Sequence, residues 1–300
     1  MKIIQIIIFT LGLMQPAFSR ADIDSSDVYA QALQIEKEIN ILKKHFNIKE
    51  EKPAPPIIAA LKPRHVWGKS YFIAAKINLF RRKHRLPVST VNVLEPVLNM
   101  NIALVYEQTQ RILTEIKILK TRLSIRQRIT PLEKFTGKQP IDVYNKLNWV
   151  SYQWDVLNGQ NVDPSYVFAE VMRIYEDINS ILRAKHVEDT SFPPEKISTM
   201  QPVDSLQAAF ELMAEVQRIQ RNMGIPRTDF SVFHTREQVL KSDVFNMSGM
   251  VLAELQTIKA WMDLNRVLTP PANSYQGKTS ADVHQLLGWA IHKLQLIKTL

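Results

Sequence analysis

The stretch Val167-Phe-Ala-Glu-Val171-Met-Arg-Ile174-Tyr-Glu-Asp-Ile178-Asn-Ser-Ile181 sets an aliphatic side chain at alternating steps of four and three residues. That period follows one face of an α-helix and cannot follow a strand. Read as an anchor plus positions +4, +7, +11 and +14, the same ladder opens at Val28, Val66, Val105, Val143, Val167, Ser205, Val244 and Val283. The first copy is Val28, Ala32, Ile35, Ile39, Leu42, and the fourth is Val143, Leu147, Val150, Trp154, Leu157. Position +12, just off the stripe, is always polar, from Asn40 and Asn78 through Asp155 to Gln256 and Gln295. The chain is therefore predicted to be all-α and bundle-like, with eight amphipathic helices.

Successive anchors lie 38, 39, 38, 24, 38, 39 and 39 residues apart, and the short spacing falls between Val143 and Val167. It divides the chain into a first four-helix unit at 22–159 and a second at 160–300. Superposing the two units matches Gly137-Lys138 to Gly277-Lys278, Asp142-Val143 to Asp282-Val283, and Trp149 to Trp289. Tandem duplication of a four-helix unit explains these matches economically. The remaining linkers are long for a bundle and carry proline. An extended linker of such length can run back along a whole helix, so consecutive helices could be parallel with crossovers, or antiparallel with folded linkers. Helices three and seven are expected to begin early, near Glu95 or Val97 and at the Thr235-Arg-Glu-Gln238 capping box.

Residues 1–21 read as a sorting signal, with Lys2 before an apolar run from Ile3 to Met14, and Ser19 and Ala21 at a cleavage site. About twelve apolar residues are too few to span a bilayer, which takes roughly 20. No later segment is longer, so no transmembrane segment is expected after the leader leaves. The chain has no cysteine, which excludes a disulfide framework, a thiolate metal site and covalent c-type haem. An exported chain without disulfides points to the periplasm of a Gram-negative bacterium. Losing Lys2 and Arg20 with the leader lowers the formal charge from +9 to +7. Much of the excess gathers at helix C-termini, as in Lys43-Lys44-His45 and Arg81-Arg82-Lys83-His84. Cations there complement exposed carbonyls, and the alternative is a basic binding surface. Nucleic acid is not expected as a partner of an exported protein.

Acids such as Asp27, Asp142, Asp243 and Asp282 stand just before the anchors, often with a proline such as Pro140 or Pro202 three residues ahead. Both suit a helix start. The residue after the anchor is aromatic in six copies, Tyr29, Trp67, Tyr106, Tyr144, Phe168 and Phe245, and is His284 in the last. Each ring could seal a linker against the first turn. In a parallel bundle the rings could instead form a cup for a flat or cationic ligand. Gly137-Lys138 and Gly277-Lys278 precede helices four and eight, where Lys138 and Lys278 could cradle an anion or simply belong to a turn.

No residue three before any of the seven histidines is acidic, and no His-Glu-x-x-His occurs, so no metal site is expected. Nothing selects a methionine and histidine pair for non-covalent haem, and no cofactor is expected. A Gly-x-Ser-x-Gly segment is absent as well. The expectation is an exported, non-catalytic protein-interaction or scaffold module. The alternative is a periplasmic receptor for a small molecule.

Overall fold

A computed structural model describes residues 23–49, 59–89, 100–129, 131–159, 162–233 and 241–298. The expected leader, the expected early helix starts near Glu95 or Val97 and the expected Thr235 capping box lie outside these residues. The described residues form α1 (Ser25–His45), α2 (Pro63–Lys83), α3 (Ile102–Arg122), α4 (Pro140–Leu157), α5 (Pro164–Ala184), α6 (Pro202–Asn222), α7 (Lys241–Trp261) and α8 (Ser280–Gln295), with no strand among them. Every rung of the ladder, forty side chains in all, is at most 3% exposed. Each buried aliphatic rung contributes about 1.5–3 kcal/mol relative to leaving it in water. The protein is all-α because one stripe of each helix must be covered and only another helix covers it.

The helix ends are closed locally. Asp24 with Asp27, Gln139 with Asp142, Gln201 with Asp204 and Thr279 with Asp282 form capping boxes, and proline opens α2, α4, α5 and α6. Met100 and Asn101 are non-helical, and the Asn101 side chain accepts the Leu104 N–H, fixing the start of α3 at Ile102. Six helices stop in one way. The residue at +19 (Asn47, Arg85, Ser124, His186, Gly224 or Asp263) turns left-handed. The aliphatic residue at +20 then donates its N–H to the carbonyl at +15, as from Ile48 to Lys43, Leu86 to Arg81 and Ile225 to Gln220. This closing turn satisfies orphan carbonyls and tucks an apolar side chain under the helix.

Helix α1 packs on α3 and α4, and α2 packs on the same two. Likewise α5 packs on α7 and α8, as does α6. Each set of four therefore forms a ring in the order 1-3-2-4, with consecutive helices diagonal or neighbouring but never in simple up-and-down sequence. Lateral bonds join residues at similar heights above their anchors: Thr109 with Gln31, Lys69 with Asn148, Lys76 with Asp155. All four helices of a set thus run parallel, and the linkers must return along the outside. The strap between α3 and α4 crosses α1, pinned by Lys37 to Glu133 and by Tyr29 against Phe135. The strap between α7 and α8 crosses α5, where Arg173 holds the Pro270 carbonyl and Phe168 meets Tyr275. Between α5 and α6 the strap runs along α8, from Asp189 on Lys293 to Lys196 on Asp282. Asn78 exchanges two bonds with the backbone of Ser89, and Gln217 binds the Thr228 carbonyl, so the polar +12 position grips the departing chain.

The two rings meet through α2 and α7. His65 pairs with Glu254, Lys69 with Asn246 and Phe72 with Phe245, so these two helices run in opposite directions where they touch. Gly68 and Gly249 let the backbones approach. A Cβ on Gly249 would overlap the Phe72 ring. The two cores become continuous across this contact.

Candidate functional site

Parallel helices are the condition under which the first-turn aromatics could have met, but their surroundings differ from one to the next. Val28, Val66, Val105 and Val143 fill the axis at that level of the first ring. The +1 side chains therefore point into the grooves between helices. Tyr29 and Phe168 lie under straps, each with a lysine above its ring: Lys138 Nζ is 4.5 Å from the Tyr29 centroid and Lys278 Nζ is 4.5 Å from that of Phe168. The backbone N–H of Lys138 reaches the Ser26 hydroxyl, and that of Lys278 reaches Ser165. Gly137 and Gly277 hold φ of +72° and +69°, which turns each lysine back onto its ring. The Gly-Lys phrase is thus a latch on the strap. Trp67 stacks on Tyr71, Tyr144 meets Phe233, and Phe245 packs edge-on against Phe72, all three beside the contact between the rings. Tyr106 accepts from Gln110 on its own helix. His284 is half-buried, and its Nδ1 has no hydrogen-bond partner among the described residues.

A second set of polar side chains lies deeper. Position +15 of one helix reaches position +10 of the next around the ring: Lys120 to Glu38, Arg81 to Glu115, Lys43 to Gln153. The second ring repeats this at the equivalent positions, with Lys259 to Asp177 and Gln220 to Glu254. The cations at several helix C-termini are therefore not only complements of the dipole. They are buried ties between parallel neighbours. Burial pushes the Asp177 carboxyl up, against Lys259 at 2.8 Å and the Thr269 hydroxyl at 2.7 Å. Burial likewise raises Asp155 against Lys76 at 2.7 Å. Such a tie was readable as a recurrent offset between Lys or Arg at +15 and an acid or amide at +10.

Where the ring partner is neutral, the acid is shared with the other ring. Arg81 satisfies Glu115, but Gln220 stands in the equivalent place beside Glu254, and His65 comes from α2 to complete it at 2.6 Å. The imidazole and the carboxylate are each 1% exposed. His65 Nδ1 accepts the Lys62 backbone N–H at 3.0 Å, so that nitrogen carries no proton and Nε2–H is the donor to Glu254. Burial pushes Glu254 up, but the bonds from His65 and Gln220 outweigh it and hold its pKa below the ordinary value. A neutral histidine thus caps α2 with one nitrogen and ties the rings with the other. The pair is sealed from water and joins α2 to α7.

Two openings flank this contact. One, of about 30 Å³, lies among Lys69, Tyr144, Asn148, Phe233 and Met250. The other, about 210 Å³, lies between Tyr71, Arg82, Tyr166, Phe245 and the strap at Pro271–Ser274. There Arg82 donates to the Tyr166 hydroxyl at 2.9 Å and the Arg173 guanidinium sits 4.5 Å over Tyr71. Among the described residues no three His, Asp or Glu gather as a metal site, and no helix is long and apolar enough to cross a membrane. No family model, curated protein or solved structure matches the chain.

Proposed function

We propose that the protein is an exported, non-catalytic interaction module, working in the periplasm, whose two rings descend from one duplicated unit. The recurrence of the ties, latches and closing turns at equivalent positions of the two rings supports the duplication. The observation that carries the interaction reading is on the strap between α5 and α6. Ser191 takes a bond from Trp289, the Pro194 carbonyl takes one from Gln285, and Lys196 pairs with Asp282, so this strap is held at several points. Yet Phe192 in its midst is 79% exposed, and Ile197 and Val203 follow it into solvent. A large apolar side chain on a pre-ordered segment is the form that anchors protein interfaces take, since little entropy is lost when it is covered.

A photo-crosslinking side chain at position 192, introduced in the cell of origin, is expected to give one discrete protein adduct. The same group at Gln207, on the exposed face of α6, is expected to give none. Equal labelling at the two sites, or labelling of no protein, refutes the reading. A small-molecule receptor is the second reading, supported by the aromatic and arginine lining of the 210 Å³ opening. It requires a ligand from a metabolite panel to raise the melting temperature and to lose that effect in Tyr166→Ala.

A further inference from the structure

Within each ring the helices run parallel, and α1, α2 and α3 match α5, α6 and α7 in length and closing turn, so the C-terminal ends of the two rings carry the same dipole. Their charge there differs. Segments 43–49, 81–89 and 116–129 of the first ring hold twelve Lys and Arg and no Asp or Glu. The equivalent segments 182–188, 220–228 and 255–268 hold six Lys and Arg and two acids. In the first ring Lys43, Arg81 and Lys120 are consumed by the buried ties, while Arg82 and Lys83 reach Tyr166 and the Leu157 carbonyl. That leaves Lys44, Lys49, Arg85, Lys117, Arg122, Arg126 and Arg128, all exposed. None of these seven uses its side chain in an ion pair or hydrogen bond among the described residues. With Val28 laid on Val167, Val66 on Ser205 and Val105 on Val244, the seven positions become Arg183, Glu188, Gly224, Gln256, Trp261, Asn265 and Val267. The second ring folds on the same plan with one cation and one acid at these places. Neither the helix dipole nor the fold therefore requires the other six, and their mutual repulsion is a cost the first ring carries.

We infer that this end of the first ring docks on an anionic phospholipid surface. Among the cations stand exposed aliphatic side chains, Ile118 on α3 at 45% exposure and Val88 on the segment that Ser89 pins to Glu115. Cations around shallow aliphatics suit a bilayer surface, where headgroup phosphates meet the charge and the aliphatics enter the interface. A nucleic-acid reader would offer free aromatic platforms, but Phe46, the ring at this end, is already packed on Phe80 and His84. A groove of about 480 Å³ opens beside Lys44 and Arg128, with the amides of Asn40 and Gln127 and the aliphatics Ile48 and Ile129, and has room for one headgroup.

The test is co-sedimentation of the full chain with vesicles of phosphatidylcholine alone, or with about one-third phosphatidylglycerol, at low salt. The apolar run at residues 3–14 contributes equally to every variant, and the neutral vesicles measure it. Binding to the anionic vesicles is expected to exceed neutral binding and to fall at least ~10-fold in Lys117→Glu/Arg122→Glu/Arg126→Glu. Arg183→Glu/Arg221→Glu in the second ring is expected to change it less than ~2-fold. Circular dichroism melting checks that both variants fold. Equal binding to neutral vesicles, equal loss in the two variants, or binding of duplex DNA or an acidic protein in place of vesicles overturns the inference.

Discussion

Glu115 and Glu254 occupy the same place in their rings, and the difference between their partners explains how two similar units make one molecule. Glu115 is closed by Arg81 of its own ring; Glu254 receives only Gln220 and so accepts His65 from the other. Such a union of unlike faces could in principle continue from molecule to molecule. It does not find matching faces here. The positions of α6 equivalent to Gly68 and Phe72 of α2 are Gln207 and Glu211, and the position of α3 equivalent to Gly249 of α7 is Gln110. The two rings thus differ at a few positions, and they join once.

The largest effect is expected at the tie the rings share most closely. Lys259 and Asp177 are almost wholly buried, more so than Lys120 and Glu38. Lys259→Met strands a buried carboxylate and is expected to lower stability by about 3–5 kcal/mol, read from urea unfolding. Lys120→Met is expected to cost less. Burial already raises Asp177, and losing Lys259 raises it further above its unfolded value. The sign follows from linkage: a raised carboxyl contributes stability below its unfolded pKa and loses it as pH rises through the folded one. The Lys259→Met deficit must therefore shrink on acidification. A deficit that grows would show that Asp177 is not the group left stranded.

Much of the architecture is written locally. The ladder fixes eight helices because steps of four and three admit one geometry, and Thr279 with Asp282 marks a helix start within four residues. Helix direction is not local. A proline-bearing linker of these lengths can fold or run back with equal ease, so Tyr29 and Tyr144 could not be assigned to a cup or to separate grooves from sequence alone. The ties were hidden by an equivalence: Lys43 and Arg81 serve a helix C-terminus whether or not a neighbour's position +10 lies opposite. His65 and Glu254, 189 residues apart, have no sequence relation at all, and only the antiparallel meeting of α2 and α7 joins them. Residues beside one another on one helix were legible; those brought together by the direction of two helices were not.

An intermediate effect separates the two glycines at the joint. On Gly249 a methyl group would overlap Phe72, a ring fixed between Tyr71 and Phe245. Gly249→Ala is expected to cost about 1–3 kcal/mol as the ring is forced aside. On Gly68 the new Cβ would lie 3.8 Å from the Gly249 carbonyl oxygen, an ordinary contact. Gly68→Ala is expected to be neutral or to gain up to ~1 kcal/mol from helix propensity. Equal losses in the two variants would mean that the close approach is not where α2 and α7 meet.

The smallest effect tests how the strap between α5 and α6 is pinned, at a position where the two units carry different residues. Lys196 meets Asp282 at 2.7 Å, whereas the residue at the equivalent position of the first unit, counted from Val28 as Lys196 is from Val167, is Ile57. Burial opposes ionisation of Asp282, but the bonds from Lys196 and from the Thr279 hydroxyl and backbone N–H, with the Lys196 charge, together prevail and bring its pKa down to about 2. A lowered carboxyl contributes stability above its unfolded pKa, near 3.8, and loses it as pH falls through about 2. Because Lys196 is 44% exposed, solvent screens the pair, and Lys196→Ala is expected to cost only about 0.2–1 kcal/mol at neutral pH. The difference between the native chain and the variant should close as pH falls from 3.8 toward 2, once Asp282 is protonated in both. If it persists unchanged at the acid end, the strap is held by the neutral contacts of Trp289 and Gln285, and the charge at Lys196 is incidental to it.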